Sequence, residues 1–294
     1  MTNIITHPAA SRGGQRRPRA AGQTAPDGSP AGRIPVPLGS GAMRAPAHAA
    51  TVVQTACSPE LLAAAEAAVD TALATVFTSD PVLGPGLSQL NSVLASVVKR
   101  HGSLIESAIT EALERSDRYL VLRNVAMPIT EPTQETLRDS TPAQLHGSSI
   151  ALRGEVAQTV FLDLVAIDLE ERRAFVAEIK RGGGKSEMRK VHQVEWILRA
   201  AQLQGRSFLA SLGYQVASAR AVLIDVYGRA GFSEDLTVTG AELDALFEVP
   251  VEDALETVTA VLAARLREAV PGLVAVAHVN VGRAGGSIRR SGAR

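Results

Sequence analysis

Hydrophobic and polar positions change period several times along the chain, and each change predicts an element. From Ser58, the stretch SPELLAAAEAAVDTALATVF carries an Ala/Leu face behind a serine with Glu60 close after it, which predicts a capped helix. TSDPVLGPG breaks it. A second helix is predicted from about Leu87 to Leu113, interrupted near Gly102. Its second half, SLIESAITEALERS, gathers Leu104, Ile105, Ala108, Ala112 and Leu113 on one broad face. RYLVLRNVAMPI then places apolar residues in short runs, the mark of a strand. TEPTQETLRDSTPAQLHGSS is polar and contains proline, and predicts a loop or insertion.

TVFLDLVAID and RRAFVAEIK are brief, apolar and β-branched, and the charged LEE between them predicts a hairpin. GGG ends the second strand. SEMRKVHQVEWILRAAQLQG predicts a helix with Ser186 as cap and Gly205 as stop. ARAVLIDVYG predicts a buried strand, and GAELDALFEVPVEDALETVTAVLAARLREAV a helix in two pieces broken near Pro250. GLVAVAHVNVG predicts a final strand. The order is α, β, β, β, α, β with a helical and strand appendix, an α/β class, and no internal repeat is visible.

Composition narrows the organisation. Apolar residues make up 46% and aromatic residues 3% of the 294, so the core must be aliphatic and alanine-rich. The first 55 residues hold six Arg, no Lys and one acid, Asp27, among Pro, Gly, Ala and Ser without period. Such a segment buries too little apolar area to offset ordering entropy, so residues 1–55 predict a disordered tail; an Arg-rich transit peptide is the less favoured alternative. Residues 56–283 predict a single domain with a core at about 100–228, and residues 284–294 a flexible basic tail. Cys57, the one cysteine, excludes an internal disulfide and suits a reducing, cytoplasmic compartment. No apolar run is long enough to span a bilayer, so no membrane partner is expected.

Candidate chemistry concentrates in AEIKRGGGKS, residues 177–186, whose two halves suggest different sites. GGGKS resembles the end of a phosphate-cradling loop through Gly184, Lys185 and Ser186. That pattern needs its opening glycine where this chain has Ile179, a β-branched residue unable to make the tight turn. No magnesium-binding partner strand follows, and a flexible strand-to-helix connection is the plainer reading of the glycines. The other half, EIK, gains from the hairpin. A turn centred near Glu170 and Glu171 sets Asp163 opposite Glu178, Val165 opposite Val176 and Ile167 opposite Ala174. Directly opposed residues share a face with Cβ atoms roughly 5 Å apart, and Lys180, two residues beyond Glu178, shares it too. Two carboxylates and an ammonium then meet at one end of a buried hairpin, where a divalent cation would offset the repulsion between the acids. Asp168, of opposite parity and next to the turn, is expected to be a solvated turn residue.

Asp163, fourteen intervening residues, and then Glu178-Ile179-Lys180 on a hairpin followed by a helix resembles the PD-(D/E)XK nuclease superfamily. The resemblance implies a restriction-endonuclease-like αβββαβ core with a mixed central sheet. Extra helices would flank it at both ends. Many members carry a Glu on the helix before the first strand, here Glu106 with Glu111 as second choice, and a Gln on the following helix, here Gln193. Leu162 stands where the family often has proline. By resemblance, Asp163, Glu178, the Ile179 carbonyl and Glu106 would hold Mg²⁺ or Mn²⁺, and Lys180 would orient the attacking water. The implied activity is hydrolysis of phosphodiester bonds, in DNA first, with RNA as the second substrate. The alternative is a catalytically inactive member that binds DNA or acts as a scaffold.

Charge agrees with a polyanionic partner. From Lys180 to Arg206, seven Lys/Arg face only Glu187 and Glu195, whereas Ser233–Val258 carries eight acids and no Lys or Arg. An ordinary charged helix surface would give the same count. Trp196 reads as core more readily than as a base-stacking residue, and His192 as a surface residue. The helices at 58–115 and 241–269 offer surface for a homodimer, which cutting of both strands often requires.

Overall fold

The computed structural model describes residues 56–145 and 147–288. The expected tail at 1–55 lies outside the described residues, as do residues 289–294 of the expected basic tail. Helices α1 (Pro59–Ala74) and α2 (Gly84–Glu114) come first. Ser58 caps α1 by accepting a hydrogen bond from the Leu61 amide at 3.1 Å. α2 runs through Gly102 without a break, because its buried stripe from Val93 to Leu113 is continuous across that residue.

Strand β1 (Tyr119–Thr130) is followed by α3 (Glu131–Asp139) and α4 (Pro142–Leu145), where the polar composition had predicted a loop. Leu137 of α3 packs on the core below, and buried Thr133 donates to Gln204 at 2.7 Å. Strands β2 (Val156–Asp168) and β3 (Arg173–Lys180) form the hairpin, and α5 (Met188–Ser211) crosses to the parallel strand β4 (Ser218–Asp225). A two-residue strand, β5 (Thr237–Val238), a short 3₁₀ turn (Gly240–Glu242), α6 (Leu243–Phe247) and α7 (Glu252–Ile288) complete the chain. The sheet has five strands in the order β1-β2-β3-β4-β5, antiparallel through β3 and parallel beyond, so it is mixed.

Two apolar layers close the sheet. One face packs Leu164, Ala166, Phe175, Ala177, Val222 and Ile224 against α1, α2 and α7. The other packs Val165, Ile167, Val176, Ala221 and Leu223 against Leu198, Ala201, Phe208 and Leu209 of α5. Burial on both faces explains why β2, β3 and β4 read as near-continuous apolar runs rather than alternating ones.

Further expectations fail. Gly205 does not stop α5 but sits inside it. A Cβ there would lie 2.9 Å from the Ala219 Cβ, so the glycine permits close approach of helix and sheet. Glu187, not Ser186, is the residue before the first turn of α5. GLVAVAHVNVG is helical, part of α7, and the helix takes in residues 284–288 of the expected tail. Its β-branched composition imitates a strand, but it continues α7, a helix that packs against α1 and α2 rather than joining the sheet.

Candidate functional site

The hairpin takes the expected register. Val165 pairs with Val176, Ile167 with Ala174, and the ladder ends at Leu164 with Ala177. Beyond that point β2 and β3 part. Asp163 fills the gap: its Oδ2 accepts the Ile179 amide at 2.8 Å, in place of a ladder bond. Lys180 Nζ lies 2.5 Å from Glu178 Oε1 and 4.0 Å from Asp163 Oδ2, so one ammonium stands between carboxylates from two strands.

The backbone explains how Asp163 reaches across. Tyr119 and Val121 of β1 join the α2 layer, whereas Val125, Met127 and Ile129 join the α5 layer, although all are odd-numbered. β2 changes face at the same level, between Leu162 in the α5 layer and Leu164 in the α2 layer. The register is the same on both sides of the change, Arg123 with Leu164 and Val125 with Leu162. Asn124, at the crossover, adopts the left-handed conformation at φ 47°, a region Asn tolerates better than most residues. Strict alternation therefore fails at Asp163, and its side chain turns toward the neighbouring strand.

A cavity of about 110 Å³ opens here, lined among others by Glu106, Arg123, Asn124, Asp163 and Ile179. Glu106 projects from α2 at its mouth and is exposed. Desolvation first, then the charge of Asp163, holds the Glu106 carboxyl above the usual carboxylate range, with Lys180 pulling the other way. Glu178 is raised by the same causes in the same order, and its side chain is only 15% exposed. Among the described residues no three His, Cys, Asp or Glu side chains form a ready-made metal cage. The larger hollows, about 330 Å³ beside Arg115 and about 440 Å³ beside Tyr227, contain neither of the paired acids nor the lysine.

Other expected residues separate clearly. Glu111 faces α1, accepting hydrogen bonds from the Ser58 amide at 2.5 Å and hydroxyl at 2.8 Å, so Glu106 is the α2 acid beside the cavity. Gln193 lies exposed on α5 and, among the described residues, shares no hydrogen bond with the acids or the lysine. Trp196 packs against the α5-side core, as its composition suggested, and His192 is exposed. Asp168 is not solvated. It is fully buried, accepts the amides of Glu170 at 3.1 Å and Glu171 at 3.0 Å, and pairs with Arg118 at 2.9 Å. Burial alone would raise its pKa, but the Arg118 hydrogen bond and those two amides hold it below the usual range.

The glycine run has a structural job. Gly182 adopts φ +69°, and a Cβ there would fall 1.5 Å from Asp225 Oδ1. Asp225 ends β4, is buried, and accepts the amides of Gly228 at 3.1 Å and Ala230 at 2.7 Å, pinning the loop after β4. The Ser186 amide donates to the Ala230 carbonyl at 2.9 Å, and α5 begins only at Met188, so GGGKS does not open a helix as a phosphate loop requires. Sequence reasoning missed Asn124 and Asp225. The Asn in an apolar strand and the Asp directly after VLI are the signals that point to them.

Of the seven basic residues between 180 and 206, three have acidic partners: Lys180, Lys190 with Glu187 at 3.4 Å, and Arg199 with Asp235 at 2.9 Å. Among the described residues, no helix is long and apolar enough to cross a membrane. No family model, no curated protein and no solved structure matches the chain.

Proposed function

We propose that this chain is a metal-dependent phosphodiesterase of the PD-(D/E)XK type, with a restriction-endonuclease-like core, acting on DNA. One observation carries the reading: Asp163 and Glu178, from two diverging strands, flank the Lys180 ammonium at a solvent-reached end of a buried hairpin. The element order α2, β1, β2, β3, α5, β4 supports it.

The donor set suits Mg²⁺ or Mn²⁺. Hard oxygen ligands are present, and Glu178 and Glu106 are acids whose charge is disfavoured until a cation arrives. Asp163, Glu178 and the Ile179 carbonyl would hold the ion, with Glu106 joining directly or through water. Mg²⁺ keeps several waters, so this few protein ligands suffice. A bound ion would supply Lewis-acid polarisation of a phosphoryl oxygen. The protein's own part is positional. Asp163, which lines the cavity, is fixed by the Ile179 amide. Lys180, which stands between Glu178 and Asp163, would donate to the attacking water or to a phosphate oxygen. Phosphodiester hydrolysis needs these roles and no covalent nucleophile.

The test is incubation of the purified chain with plasmid and Mg²⁺, beside Lys180→Ala and Asp163→Ala. Cleavage lost in both variants supports the reading. Tight DNA binding with no cleavage of DNA or RNA by the wild type would instead assign a non-catalytic binding role.

A further inference from the structure

Arg181 follows the catalytic lysine of that proposal and is held by a hydrogen bond and a ring contact, with no acidic partner among the described residues. Its Nε donates to His101 Nδ1 at 3.1 Å, and its guanidinium carbon sits 5.0 Å from the centroid of the Tyr227 ring. Its backbone is fixed as well, because the Tyr227 amide donates to the Arg181 carbonyl at 3.2 Å. His101 is buried on α2, and its Nε2 lies 3.0 Å from Thr259 Oγ1 of α7. An Nδ1 that accepts from a guanidinium carries no proton, so the ring is the neutral Nε2–H form and donates to Thr259. Burial, then the nearby Arg181 charge, lowers the His101 pKa to about 4, in agreement.

Both groups that fix Arg181 are therefore uncharged. Among the described residues Arg181 forms no ion pair, whereas Arg118, Arg123, Arg199 and Arg265 each reach a carboxylate at 2.6–2.9 Å. It is half-buried, so part of its hydration is lost without a compensating anion. Among the described residues only Nε is used in a hydrogen bond, which leaves the two terminal nitrogens as a pre-oriented fork. Such a fork matches phosphate geometry, and stacking on an aromatic ring lowers the entropy lost on binding.

Its position fits a nucleic-acid strand. His101 and Glu106 lie on the same helix five residues apart, about 7.5 Å along the axis. Arg181 is thus set beside the carboxylates rather than upon them. Resting on the nuclease reading, we infer that Arg181 is a phosphate-binding side chain of the site, taking the backbone phosphate next to the scissile one.

The experiment uses the full chain in EDTA, so that no cleavage intervenes, with two probes: inorganic phosphate and a fluorescent DNA duplex. Inorganic phosphate should broaden its ³¹P resonance with the wild type and not with Arg181→Gln. For the duplex, Arg181→Gln should weaken binding about tenfold and reduce the salt slope by about one, the loss of a single phosphate contact. Arg267→Gln, at an exposed arginine on α7 outside the basic run, should leave both unchanged. Far-UV circular dichroism checks folding. Should the Gln variant not fold, Arg181→Lys keeps the charge without the fork and should lose about threefold. Wild-type values in Arg181→Gln, an equal loss in Arg267→Gln, or no phosphate binding by the wild type would each overturn the inference. Phosphate binding that depends on Arg181, with no cleavage on adding Mg²⁺, would keep the inference and sink the nuclease reading. Cleavage with unchanged KM in Arg181→Gln would do the reverse.

Discussion

At the turn end of the β2–β3 hairpin, Asp168 is fully buried, accepts two amides and pairs with Arg118. Five residues back along the same strand, at the open end, Asp163 faces Glu178 and Glu106 with one lysine to serve them. The first acid is held below the usual carboxylate range, while the acids beside the second are held above it. Desolvation acts at both ends, so the difference comes from the partners. A carboxylate met by an arginine and backbone amides is satisfied and structural. A group of carboxylates short of positive charge is costly, and proteins keep such arrangements at sites that bind something.

The largest expected effect breaks the open end. Lys180→Ala and Asp163→Ala should each lower plasmid cleavage in Mg²⁺ by about 10²–10³-fold or more, with melting temperatures close to wild type. Asp168→Ala should do the opposite. It leaves buried amides and Arg118 without their acceptor, and should cost about 3 kcal/mol in urea unfolding while the folded fraction still cleaves.

The acid limb sharpens the contrast. The folded pKa of Asp168 lies below its unfolded value, so its ionised form favours the fold above the unfolded value of about 4, and that contribution is lost as pH falls through the folded value. Asp168→Asn should therefore flatten the fall of stability on acidification. Glu178 has the reverse sign: its raised pKa makes the carboxylate unfavourable to the fold at neutral pH. Mg²⁺ at millimolar concentration should then raise the wild-type melting temperature by about 2 °C, and Asp163→Asn should show no shift. The smallest effect concerns the backbone at the crossover. Asn124→Gly relieves a left-handed conformation and should change stability by no more than about 0.5 kcal/mol, whereas Asn124→Val should cost more than 1 kcal/mol.

The hairpin was legible because its charged turn fixes a register and the register fixes which residues oppose one another. Asp163, Glu178 and Lys180 could thus be brought together from number alone. What alternation cannot report is a place where both strands change face together, which is how Asp163 turns toward Ile179 rather than lying squarely opposite Glu178. Asp168 was misjudged because proximity to a turn correlates with exposure, whereas Arg118 arrives from a distant segment. Gly205 and the C-terminal half of α7 failed for a shared reason. A glycine needed for close packing looks like a stop, and a Val-rich stretch inside a long helix looks like a strand. The choice between Glu106 and Glu111 needed the position of α1, which no local pattern contains.

Arg118 grips more than its buried acid. Its second terminal nitrogen meets Glu248 at 2.6 Å, and the neighbouring Tyr119 hydroxyl donates to the Phe247 carbonyl at 2.9 Å, so the sheet is tied to the segment entering α7. Anyone wishing to shorten this chain to the six elements around the hairpin would uncover Ile109, Phe175 and Ile224 to water and untie that knot at once. The minimal folding unit accordingly extends well past residue 228, and expression trials that stop there should yield aggregates rather than a smaller folded domain.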